Sequence, residues 1–172
     1  MSNRYLAPRL LKPSDRLENF ECRSPEQTHW LRDHARQAEA TGTTRALVVT
    51  QPDSDDVVAY YAWCMASVRV EDAPARLRKG GGRYPQPVAL LARLGVSIQH
   101  EGHGLGAGLL VDVISRTAEL ATDIGCRGLL IHAETSAARD FYLHLIPEFE
   151  QSPTDALHLL LLMEDIRRTL SR

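Results

Sequence analysis

The stretch "QHEGHGLGAGLL", residues 99–110, decides how this sequence is read. Glycine stands at 102, 104, 106 and 108, and the run passes at once into Leu109, Leu110 and Val111. Glycine loses more backbone freedom on folding than any other residue. Such spacing therefore demands unusual dihedrals, or a neighbour that leaves no room for side chains. The flanks supply the context. "VALLARLGVSI" (88–98) reads as a long apolar strand. "GAGLLVDVISRTAELATDIG" (106–125) places Leu109, Leu110, Val113, Ile114, Ala118 and Ala121 on one helical face, with Gly125 as the stop. A glycine loop between a strand and a helix start offers backbone N–H groups and a positive dipole end to an anion.

Working outward, "PEQTHWLRDHARQA" (25–38) has helical spacing behind the N-cap Ser24 and Pro25. "TTRALVVT" (43–50) and "VVAYYAWCMASVRV" (57–70) read as strands, and the turn-forming "PDSDD" between them predicts an antiparallel hairpin. "EDAPARLRKGGGRYPQP" (71–87) is too rich in Gly and Pro for an internal strand. After the long helix, "CRGLLIHA" (126–133) is a strand and "TSAARDFYLHLI" (135–146) a helix that starts at Thr135 or Ser136. "ALHLLLLM" (156–163) is a buried strand, and "EDIRRTLSR" a short closing helix. No repeat or linker interrupts this order, so residues 1–172 are expected to form one α/β domain.

Three anions suit the loop geometry. A Walker loop needs Gly-Lys-Ser/Thr at its end, which is missing. The dinucleotide pattern G-x-G-x-x-G/A is met formally by Gly102, Gly104 and Ala107. That motif belongs in an early βαβ unit with an acidic residue closing the next strand, whereas here a hairpin precedes it and Glu134 is the only acidic candidate. The third anion is the pyrophosphate of an acyl-coenzyme A. A purely structural loop of tight turns is the bland alternative.

For the third option the sequence carries a specific resemblance. "GLGAGLL" after a long strand is similar to the [QR]-x-x-G-x-[GA] loop of the GNAT N-acetyltransferase superfamily, here falling on Glu101 to Gly106. Glu101 replaces the usual Gln or Arg, so it is expected to point away while backbone donors bind. "NFEC" (19–22), "WLRDHA" (30–35), "YPQPVALLARLGV" (84–96) and "AARDFY" (137–142) extend the likeness over nearly the whole chain. Together these segments resemble the TacT-type GNAT toxins, which acetylate the α-amino group of aminoacyl-tRNA. "LHLIPEFE" replaces the family's Gly-Phe turn after the tyrosine, so the last hairpin is expected to be reshaped.

The resemblance implies a GNAT fold, with a mixed central sheet, a splayed strand pair and flanking helices. It implies acetyl-CoA as acetyl donor, held by Leu94 and Val96 on the splayed strand, by His103, Gly104, Leu105, Gly106, Ala107 and Gly108 in the loop, and by Ala138 and Phe141. It assigns Tyr142 as the acid that protonates the departing thiolate. Acceptor, partner and assembly follow as an aminoacyl-tRNA, a ribbon-helix-helix antitoxin and a homodimer. An acetyltransferase for a small amine or a protein N-terminus is the alternative; a catalytically silent CoA-binding module is a third.

The residues constrain this reading independently. No carboxylate stands out as a general base. A free α-amine, titrating near ~8, needs less help than a lysine near ~10.4. Arg76, Arg78, Lys79, Arg83 and Arg93 form a local basic segment suited to RNA phosphates, and Tyr84 can stack on a base. The formal charge of −2 gives no global nucleic-acid signal. His100, His103, His132 and His144 have no metal-ligand spacing. Cys22, Cys64 and Cys126 are odd in number and lack CxxC spacing, as expected of free thiols in a reducing cytoplasm. No apolar run reaches the roughly 18 residues of a membrane helix, and the N-terminal segment lacks a signal-peptide core.

Overall fold

The computed structural model describes residues 4–172. Its strands lie in the order β1-β2-β3-β4-β5-β7-β6. They are β1 (Arg9–Leu10), β2 (Arg45–Thr50), β3 (Val57–Val68), β4 (Gln86–Val96), β5 (Gly128–His132), β6 (Glu150–Gln151) and β7 (His158–Leu162). The helices are α1 (Pro25–Asp33), α2 (Ala35–Thr41), α3 (Ala75–Arg78), α4 (Leu105–Asp123), α5 (Ser136–Leu145) and α6 (Met163–Leu170). The chain packs as two compact units: one runs through Cys64 and adds Ala92–Asp112, the other comprises Met65–Leu91 and Val113–Arg172.

In the first unit, β2 and β3 form the expected antiparallel hairpin, with Leu47 opposite Tyr61 and a register shift at Val49/Thr50. The expected helix over 25–38 is two helices. Ser24 caps α1 through Gln27 N–H, and His34 is both the C-cap of α1 and the N-cap of α2. Leu17, Phe20, Leu31, Ala35, Val48 and Tyr60 make the core, and Trp30 stacks on Tyr60 at 5.9 Å. Asp15 is buried as well. Its carboxylate takes both Arg9 guanidinium nitrogens at 2.7 and 2.8 Å and the Lys12 N–H at 2.7 Å. Burying a carboxylate is tolerated only with such full pairing.

In the second unit, β4 and β5 are parallel, with Ala89–Leu91 opposite Leu129–Ile131. β7 pairs antiparallel to β5 along its whole length, from Gly128↔Leu162 to His132↔His158. Gly128 permits that approach, since a Cβ there would sit 2.3 Å from the Leu161 carbonyl oxygen. Val68, Leu77, Val88, Leu130, Leu160 and Leu162 fill the core beneath α3. The segment after α5 closes as a short antiparallel pair, Glu150↔Leu160 and Gln151↔Leu159. No helix among the described residues is long and apolar enough to cross a membrane.

Candidate active site

In the glycine run, only two of the four residues use their conformational freedom at positive φ. Gly102 and Gly104 stand at +77° and +78°, a region that side chains strain. They turn the chain out of a short 3-10 segment (Ile98–His100) and into α4. The first intrahelical bond is Gly108 N–H to the Gly104 carbonyl at 3.0 Å. The N–H groups of Leu105, Gly106 and Ala107 precede that bond, so the helix itself offers them no acceptor. These donors, at the positive helix end, suit an anion. Gly108 must be removed from the expected donors because its N–H is already used. Tyr61 fixes this end of α4 by donating to Asp112 at 2.7 Å.

Glu101 turns toward the solvent-exposed Arg23, which donates to both carboxylate oxygens at 2.8 and 2.9 Å. That bond holds the Glu101 carboxyl below its ordinary range. The anionic charge at this departed motif position is thereby neutralised. His103 lies 6.0 Å from the Tyr5 ring, and the Tyr5 hydroxyl reaches His100 Nδ1 at 2.9 Å. Leu94 and Val96 lie half-buried on the last turnless residues of β4.

In the second unit, α5 begins at the N-cap Thr135, whose side chain accepts from the Ala138 N–H at 3.1 Å. Ala138 therefore has only its methyl group to offer a ligand. Two turns on, Tyr142 is buried while Phe141 beside it is partly exposed. The rings meet edge-to-face at 5.4 Å. Burial first, and the Glu134 carboxylate second, push the Tyr142 hydroxyl well above the ordinary tyrosine range. It stays protonated at neutral pH. Among the described residues no group accepts a hydrogen bond from it, unlike a tyrosine kept for its bond to a carbonyl.

The expected RNA-contacting residues separate. Arg78, Lys79, Arg83 and Tyr84 are exposed, Tyr84 by 79%. Arg76 is a correction: it bonds Glu150 at 2.9 Å, buried Asp165 at 2.8 Å and also Glu164. Three carboxylates already surround its charge, so it holds α6 and β6 and is not available to a phosphate. Arg93 sits in the first unit, bonded to Gln27 Oε1 at 3.1 Å and lying over the Trp30 ring. It too has an internal role. The sequence reading missed Gln86, which is buried and donates to the Gly81 and Tyr84 carbonyls while accepting from Arg127. That clamp shapes the "KGGGRY" loop. A glutamine at the first position of a strand carries no signal for it. Among the described residues, no three His, Cys, Asp or Glu side chains are grouped so as to hold a metal.

The fold is that of a GNAT-type acyltransferase. No family model matches the chain. A solved structure of AtaT complexed with acetyl-methionyl-tRNA superposes with a TM-score of 0.87 at 20% identity, covering 95% of this chain and 98% of that one. A tyrosine-to-phenylalanine variant of AtaT, bound to acetyl-CoA and the C-terminus of its antitoxin AtaR, gives 0.79 at 19% identity, over 96% and 98%. The tRNA-acetylating toxin of Mycobacterium tuberculosis is 41% identical over 163 residues, which is 95% of both chains. This chain belongs to the family of GNAT-type tRNA-acetylating toxins.

Proposed function

We propose that this chain transfers acetyl from acetyl-CoA to the α-amino group of an aminoacyl-tRNA, and that it acts in the cytoplasm as the toxin of a toxin–antitoxin pair. The observation that carries the reading is the 41% identity, across 95% of the chain, with a tRNA-acetylating toxin. When bound, acetyl-CoA supplies an activated acyl group on a thiol that can leave. The residues fit it. The N–H groups of His103 to Ala107 would hold its pyrophosphate, with Gly102 and Gly104 supplying the turns at positive φ. Leu94 and Val96 would serve the pantetheine arm, and Ala138 and Phe141 would give apolar contact. Tyr142 delivers its proton to the thiolate as the C–S bond breaks, and its burial keeps that proton in place until then.

Arg78, Lys79, Arg83 and Tyr84 are the residues we assign to tRNA, with cationic side chains on phosphates and the exposed ring on a base. A ribbon-helix-helix antitoxin and a homodimer complete the proposal; AtaT bound to part of AtaR supports the antitoxin. The test is transfer from labelled acetyl-CoA to a pool of charged tRNAs. Label should enter the aminoacyl group and be released with it by mild base. Labelling of small amines or protein N-termini, with none in any charged tRNA, would overturn the assignment.

A further inference from the structure

The mechanism above leaves the attacking amine without a proton acceptor, and the second unit holds an unused candidate. A pocket of about 310 Å³ is lined by Ser67, Val68, Arg69, Asp72, Leu130, His132, Ser152 and His158. Its floor is the β5–β7 ladder. Leu130 and His132 share one face of β5 by the two-residue period of a strand, and the register sets His132 directly opposite His158. The two imidazoles stack, with centroids 3.8 Å apart and planes 14° from parallel. Across the pocket, Asp72 accepts from Arg69 Nε at 3.0 Å and from the Thr154 hydroxyl at 2.5 Å. Ser152 donates to the Asp72 carbonyl oxygen at 2.9 Å. The volume suits an amino-acid-sized group, and the lining offers it an apolar floor with convergent polar edges.

The paired rings are not equivalent. His158 lies 3.4 Å from Asp155. The other ring is His132. Crowding by the surrounding protein lowers its pKa first, His158 adds to the effect, and Asp155 opposes it. Its side chain nevertheless opens to solvent, as a group that must meet a substrate requires. Arg69, Asp72, Asp155 and His158 are the charged or titratable groups around it.

We propose that this pocket receives the aminoacyl end of the acceptor and that His132 is the general base of acetyl transfer. The proposal rests on the aminoacyl-tRNA reading. In the step, the amine nitrogen bonds to the acetyl carbon and the C–S bond breaks. One amine proton passes to the free ring nitrogen of His132, and the sulfur takes the Tyr142 proton. The products are the N-acetylated aminoacyl group and the CoA thiol; water then restores His132 and Tyr142. His158 is a positioning residue that fixes the ring by stacking.

The experiment measures kcat/KM for a charged tRNA against pH, in wild type, His132→Gln and Ser67→Trp, with acetyl-CoA affinity and melting as controls. His132→Gln should lose about a hundredfold at neutral pH, the low end of what general acid–base catalysis contributes. It should also lose the acid limb set by the imidazole, and recover activity when free imidazole is added. Ser67→Trp, an exposed substitution that fills the pocket, should raise the acceptor KM and leave acetyl-CoA binding intact; it decides the matter if His132→Gln does not fold. A His132→Gln enzyme with the wild-type rate and pH profile, or an unchanged acceptor KM in Ser67→Trp, overturns the proposal. A wild-type protein that acetylates no charged tRNA overturns the functional reading itself and this proposal with it.

Discussion

Replacing Tyr142 by phenylalanine removes one oxygen from a buried ring and leaves its packing against Phe141 in place. The consequences for stability and for rate should separate. Among the described residues the hydroxyl has no hydrogen-bond acceptor, so the usual cost of about 1 kcal/mol for a lost bond does not apply. Among the described residues no buried side-chain oxygen or nitrogen lacks a partner, so the hydroxyl keeps access to solvent and the melting temperature should change little. The rate should respond strongly. If the hydroxyl protonates the leaving thiolate, its loss withdraws general acid catalysis, typically worth ~10²–10⁴-fold. Single-turnover acetyl transfer should fall at least about a hundredfold, with acetyl-CoA affinity nearly unchanged, because the interaction exists only as the C–S bond breaks. Alkali supplies a second check. Burial and then Glu134 raise the folded pKa of Tyr142. Its contribution to stability is therefore fully present below the ordinary tyrosine value near ~10 and is lost as pH rises from there. Tyr142→Phe should lack this alkaline loss. Turnover within threefold of wild type, in protein of normal melting behaviour, would refute the assignment of Tyr142 as the acid.

Gly106→Val should abolish measurable acetyl-CoA binding by calorimetry without unfolding the protein, since Gly106 is helical and needs no positive φ. Gly108→Ala, whose Cβ meets only open space, should leave affinity unchanged and raise helix stability by up to ~1 kcal/mol. Neutralising Arg78, Lys79 and Arg83 together should weaken tRNA binding and flatten its dependence on log salt by roughly 2–3 units, measured by fluorescence titration. Arg76→Ala should instead lower stability by about 1–2 kcal/mol, discounted for the exposure of Arg76, because buried Asp165 loses a partner. Asp15→Asn should destabilise the fold by about 1–3 kcal/mol. Burial alone would raise the Asp15 pKa, but Arg9 and the Lys12 N–H bring it below the ordinary value. That stability is present above the ordinary carboxylate pKa and lost as pH falls through the folded one, so urea midpoints of wild type and variant should converge in acid.

The parts of this fold that were legible in the sequence are those fixed by local periodicity. The β2–β3 hairpin, β4, α4 and α5 each carry an uninterrupted apolar pattern, and Ser24 and Thr135 announce their helices because capping is a three-residue interaction. β1 and β6 are two residues long, shorter than any strand period, and left no trace. The break at His34 was equally silent, since α1 and α2 together keep one helical pattern. Site chemistry divides along the same line. The glycine turns and Tyr142 sit in short motifs, whereas the fate of a charge depends on partners far away in the chain. Arg76 looked like its neighbours Arg78 and Lys79, but Glu150 and Asp165 lie 74 and 89 residues further on. The stack of His132 on His158 has the same origin. Nothing in "LLIHAET" or "LHLLLLM" pairs those rings; the antiparallel register of β5 and β7 does, and a slip of one residue would send the two side chains to opposite faces. A general base sought among local motifs was therefore missed. A cross-strand pair becomes visible only once the register is known.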